Sequence, residues 1–85
     1  GDVYALACVL FEMLTGEAPF ASQKGGMAKM WAHVNAEPPS VRERRPDVPS
    51  ALQDVIMLGL SKAPEARPTA AAFRAMVLRA VDETL

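Results

Sequence analysis

Residues 2–15, Asp2-Val3-Tyr4-Ala5-Leu6-Ala7-Cys8-Val9-Leu10-Phe11-Glu12-Met13-Leu14-Thr15, carry charge only at Asp2 and Glu12. Val3, Leu6, Ala7, Leu10, Met13 and Leu14 recur at the i, i+3, i+4, i+7 spacing of a helix. Cys8, Val9 and Phe11 fill much of the opposite face, and a helix apolar nearly all round is a buried one. The whole chain has 85 residues, one small domain at most. A chain of that size buries only about 60–65% of its unfolded surface, too little protein to surround such a helix. The expectation is therefore that partner structure is needed and that the chain begins inside something larger. Gly1 precedes the helix without a basic region or a cleavage site. The longest apolar stretch, Val3 to Phe11, is far short of the roughly 20 residues of a membrane span. Neither a signal peptide nor a transmembrane helix is expected.

The rest of the chain predicts three further helices and no strand, an all-α fold. Gly16 stands where a C-cap glycine belongs, with Pro19 three residues on, and Phe20 is expected to pack back onto the first helix. Residues 21–26 are polar and glycine-rich, expected as a loop or a mobile helix start. A second helix over about 26–35 puts Met27, Met30, Trp31 and Val34 on one stripe. Pro38, Pro39, Pro46 and Pro49 break residues 36–49 into an irregular connector. Ser50 is the expected N-cap of a third helix, 50–62, with Leu52, Val55, Ile56 and Leu60 on its apolar face. A turn, Ala63-Pro64-Glu65-Ala66-Arg67-Pro68, is bracketed by prolines. Thr69 caps a fourth helix to about Glu83, with Phe73, Met76, Val77, Ala80 and Val81 facing inward.

Composition narrows the chemistry. Nine Lys and Arg against 10 Asp and Glu give a net charge of −1, and with the proline-rich connector this argues against a helix-turn-helix or other nucleic-acid binder. One cysteine forms no internal disulfide, and one cysteine with one histidine builds no structural zinc site. Cys8 lies inside the apolar helix, where burial explains it better than a reactive thiolate. His33 has no acid beside it by local spacing and is expected to be hydrogen-bonded or exposed. Gly25-Gly26 lacks the spacing and the preceding strand of a phosphate cradle. Arg42-Glu43-Arg44-Arg45 is the one basic cluster, and a solvated connector face is its default. Met27, Met30 and Trp31 are a candidate docking surface, although core packing is the commoner use of such a stripe. Asp2 opens an apolar helix, where a buried carboxylate needs donors, and Arg67 is held between two prolines. A rigidly placed guanidinium suits a bidentate carboxylate partner. On spacing alone, a helix cap and an exposed turn explain the two residues equally well.

Asp2 to Gly16 with Pro19-Phe20 closely resembles the segment that follows the activation loop in protein kinases, which reads D-[VI]-[WY]-S-[LF]-G, an apolar run, E-[ML]-L-T-G and P-F. Lys62-Ala63-Pro64-Glu65-Ala66-Arg67-Pro68-Thr69 resembles the later K-x-P-x-x-R-P-[ST] signature of that family. Between them, Ala32-His33-Val34, Pro38-Pro39 and Val48-Pro49-Ser50-Ala51-Leu52 resemble the bacterial, eukaryotic-like serine/threonine kinases. The resemblance covers essentially the whole chain. It departs at Ala7, where the family usually has Gly, and at Gly1, which replaces a common Ser.

The resemblance implies a partial kinase domain over residues 1–85: helices F, G, H and I of the large lobe. Asp2 matches the buried aspartate of helix F that holds the catalytic-loop backbone, and Arg67 matches the arginine that pairs with the glutamate of A-P-E. The expected partners are the rest of the kinase domain and protein substrates, with no nucleic acid and no membrane contact from this stretch, and the expected location is cytoplasmic. The Gly-rich loop, the V-A-I-K lysine, H-R-D, D-F-G and A-P-E are absent from the chain. Phosphoryl transfer depends on those parts, so no catalytic, cofactor or metal residue is expected here, and ATP and magnesium belong to a complete kinase. The rival expectations are a stand-alone helical interaction module and a degenerate pseudokinase remnant.

Overall fold

The computed structural model describes residues 2–82 and is all-helical among them. Helix α1 covers Asp2–Thr15, α2 Gly26–Asn35, α3 Val41–Arg44, α4 Ser50–Gly59 and α5 Ala70–Asp82, with a 3-10 turn at Pro64–Ala66. Four of these match the expected helices. The fifth, α3, lies in the connector read as irregular. Ser40 starts it by accepting from the Arg42 amide at 3.2 Å, and Gln53 of α4 accepts from the same amide at 2.9 Å. Four residues between prolines are too few to show a period, so a side chain far along the sequence helps settle their fold.

The helix ends follow local chemistry except at α4, where both ends differ. Gly16 takes a positive φ of 85° and returns its amide to Glu12 O at 2.8 Å, closing α1 as a glycine C-cap does. Thr69 caps α5 through its side chain, accepting from the Ala72 amide at 3.1 Å. Ser50, however, is the first residue of α4 and not its cap; Pro49 holds the cap position in extended backbone. Nor does α4 run to residue 62. The Leu60 amide is shared between Ile56 O and Met57 O, and Ser61 N bonds Leu58 O, so the last turn tightens and the chain leaves the helix. The expected end of the fourth helix at Glu83 lies outside the described residues.

Helix α4 packs on α1 and α5, and α3 sits against α1 and α4. Their contact is a single core of Val3, Ala7, Phe11, Val41, Val48, Ile56, Leu60 and Phe73. Gly59 of α4 sits close against both neighbours: a Cβ built there would lie 2.8 Å from both the Ala7 Cβ and Phe73 Cε1. The Ala7 methyl thus fills space that Gly59 leaves open. The molecule measures 39 × 28 × 15 Å, much thinner in one direction than in the other two. A slab that thin buries one side of α1 and leaves the other outside. Leu6, Val9 and Met13 are exposed, and in α5 so are Met76, Leu78 and Val81, of which Met76 and Val81 were expected to face inward.

Candidate functional site

Helix α2 carries the most exposed apolar surface. Gly25, at φ 87°, turns the chain into it. Beyond it Met27 is 87% exposed, Met30 71%, Trp31 63% and Val34 69%. Core packing of this stripe, the commoner expectation, is not found: Ala32 is the only buried residue of the helix. Exposed apolar surface concentrated on one helix, with an aromatic and two adaptable methionines, has the composition of a protein-docking face.

The turn after α4 carries Arg67, and the structure gives it a fixed place. Arg67 Nε donates to Ser61 O at 2.8 Å and Nη2 to Lys62 O at 3.3 Å, while its guanidinium stacks 4.9 Å from the centre of the Tyr4 ring. Arg67 is half-buried and Asp2 is exposed at the head of α1. Both line one open cleft of about 300 Å³, together with Val3, Pro68 and Thr69. Residues 65 positions apart are therefore brought to a common wall. Neither is an isolated surface charge on an unrelated face.

Between the cleft and α2 lies a knot of rings and cations that the sequence does not announce. Tyr4 Oη and His33 Nδ1 are hydrogen-bonded at 2.7 Å. The Tyr4 and Phe20 rings make T-shaped pairs with the His33 ring, with centroids 5.7 and 4.9 Å away. Lys62 Nζ stands 4.8 Å from the centre of Phe20 and donates to Ala32 O at 3.1 Å and His33 O at 2.8 Å. Phe20 is buried, and the ring it meets is His33 of α2. Burial pushes the Tyr4 hydroxyl up to about 12, with the Cys8 thiol one helical turn away adding to the shift. Burial also raises the Cys8 thiol, which leaves it protonated and unreactive at neutral pH. His33 is lowered by burial and by the Lys62 ammonium, and Lys62 is itself lowered by burial. Tyr4 and His33 are 29 positions apart, and no local spacing signals their contact.

One arginine of the basic cluster, Arg45, is committed within the chain. Arg45 Nη1 donates to Leu14 O at 2.9 Å, satisfying a carbonyl at the end of α1, and its Nε and Nη2 hold Asp47 in a bidentate pair at 2.9 and 2.8 Å. The Arg45 guanidinium keeps the Asp47 carboxyl down at about 2. Arg44 lies over Phe11 at 5.4 Å. The default expectation of a solvated face thus holds only in part, because Arg45 works as a helix C-cap. Among the described residues no three His, Cys, Asp or Glu side chains group to hold a metal ion. No helix among them is long and apolar enough to cross a membrane.

No protein-family model matches the chain. Curated relatives do. The serine/threonine-protein kinase PknJ of Mycobacterium tuberculosis is 42% identical over 71 residues, 82% of this chain and 12% of that protein. The serine/threonine-protein kinase PknB of Mycolicibacterium smegmatis is 42% identical over 79 residues, 92% of this chain and 12% of that protein. The serine/threonine-protein kinase pkn3 of Myxococcus xanthus is 41% identical over 86 aligned positions, 96% of this chain and 15% of that protein. The chain spans about an eighth of the length of such relatives.

Proposed function

Because the chain belongs to the bacterial serine/threonine protein kinases, we propose that it is the scaffold of the large catalytic lobe, corresponding to helices F to I. In this reading the complete protein transfers the γ-phosphate of ATP, with magnesium, to Ser or Thr of protein substrates. This stretch contributes no catalytic group. Asp2 holds the catalytic-loop backbone, Arg67 pairs with the carboxylate that closes the activation segment, and Met27, Met30 and Trp31 dock a protein.

The observation that carries the proposal is the agreement of two things. Relatives of that one activity match 82–96% of the chain. The arginine of the later signature is also held rigid by two carbonyls and a ring, in a cleft it shares with Asp2. A guanidinium fixed in that way is ready for a planar carboxylate. The exposed apolar side of α1 and α5 disfavours a stand-alone module.

The test compares Arg67→Ala in two settings. Removing one partner of a buried ion pair costs about 3–5 kcal/mol, so the complete kinase should lose stability and ATP-dependent phosphorylation of a protein substrate. In the 85-residue chain the same change removes only the contacts to Tyr4 and the two carbonyls, and the loss in urea unfolding should be clearly smaller. Equal losses in the two settings would overturn the pairing. ATP-dependent phosphorylation by the 85-residue chain alone, or none by the complete protein, would overturn the assignment of activity.

A further inference from the structure

Helix α2 bears four exposed apolar side chains, yet among the described residues no other helix packs along it. One buried residue, Ala32, is too little apolar contact to fix its direction. Its N-terminal end hangs on Gly25, at a φ that glycine adopts freely. Its C-terminal end is held differently. Lys62 donates to Ala32 O at 3.1 Å and to His33 O at 2.8 Å, two of the last four carbonyls of the helix. A cation there meets the negative end of the helix dipole. The ammonium is walled by Phe20 at 4.8 Å and Tyr4 at 6.0 Å, which limits the water that could compete for it. Beside it, Tyr4 of α1 is bonded to His33 of α2.

We infer that Lys62 is a positioning residue: it latches the C-terminal end of α2 to the turn after α4 and so sets the direction of the apolar stripe. The inference rests on the reading of that stripe as a docking surface, and it adds what aims it. The latch is continuous with the anchor site. Arg67 holds the carbonyls of Ser61 and Lys62, the backbone so held places the Lys62 side chain, and the Lys62 ammonium holds α2. A carboxylate docked on Arg67 would steady that turn, and through it the docking helix.

Amide hydrogen exchange on the full 85-residue chain tests this, with the anisotropy of its single tryptophan, Trp31, as a second reading. Lys62→Met should speed exchange in α2 by about tenfold or more, the size expected when hydrogen bonds from a charged donor are lost, and should lower Trp31 anisotropy. Exchange in α4 and α5 should stay as it was. Lys62→Arg restores a cationic donor and should return protection to α2. Unchanged exchange in Lys62→Met would overturn the inference. So would a loss spread evenly over α1, α4 and α5, an α2 unprotected in the unsubstituted chain, or a Lys62→Arg variant that behaves like Lys62→Met. Exchange reports how α2 is held whether or not the stripe binds anything. Failure of docking itself would appear instead as an unchanged KM of the complete kinase for a protein substrate in Trp31→Ala, with α2 exchange unaltered.

Discussion

Tyr4 is the only tyrosine of the chain, so its ionisation can be read directly from ultraviolet absorbance. Its hydroxyl is pushed up to about 12 by burial first and the Cys8 thiol second, whereas an unfolded tyrosine titrates near 10. A folded pKa raised above the unfolded one gives stability that is complete below about pH 10 and lost as pH rises toward 12. The expected result is a titration midpoint near 12 in the native chain that returns to about 10 in denaturant. A native midpoint near 10 would mean that Tyr4 is not packed among His33, Lys62 and Arg67. None of this is legible from Tyr4 as a letter in the sequence. Its partners come from residues 33, 62 and 67, and only folding brings them together.

The helices themselves are the most readable elements. α1, α2 and α5 appear where period and caps place them, because an apolar stripe, a Gly at the C-cap and a Thr at the N-cap are local signals. Departures arise where a distant group competes. α3 forms where Ser40 and Gln53 meet the Arg42 amide. Gly59 is a position whose meaning is entirely one of approach between helices, since a methyl there meets Ala7 and Phe73 at 2.8 Å. The Ala7 contact is backed by α1, and the Phe73 ring is fully buried, so neither neighbour can swing away. Gly59→Ala should therefore destabilise by about 1–3 kcal/mol despite the better helix propensity of alanine. Ala7→Gly combined with Gly59→Ala should recover part of that loss, because the methyl is moved from one helix to the other. Urea unfolding of Gly59→Ala, Ala7→Gly and the double variant measures both effects, and an additive double variant would show that the two sites do not share the space.

At the scale of the molecule, the thin slab leaves Leu6 42% and Leu78 49% exposed on the outer side of α1 and α5. They border an apolar groove together with Leu10, Ala70, Phe73 and Val77. The isolated chain should bind a hydrophobic dye such as ANS and self-associate as its concentration rises. Leu6→Glu with Leu78→Glu should suppress both, at little cost in stability, since neither residue belongs to the buried core. Dye binding that persists unchanged in that double variant would place the sticky surface elsewhere, with the α2 stripe as the next candidate.

The sequence by itself determined the all-α class, the places of the long helices and the excess of apolar surface over what 85 residues can enclose. These are consequences of period, caps and length, which are properties of neighbours along the chain. It also singled out Asp2, Arg67 and the Met27–Trp31 stripe, but left open whether they were caps, turns and core or something more. Tertiary structure decided where they lie. It turned the stripe to solvent, brought Asp2 and Arg67 to one cleft, and joined Tyr4, His33 and Lys62 into the knot that holds α2. The reason is physical: a hydrogen bond between residues 29 apart leaves no trace in local spacing, and which face of a helix is buried depends on what packs against it.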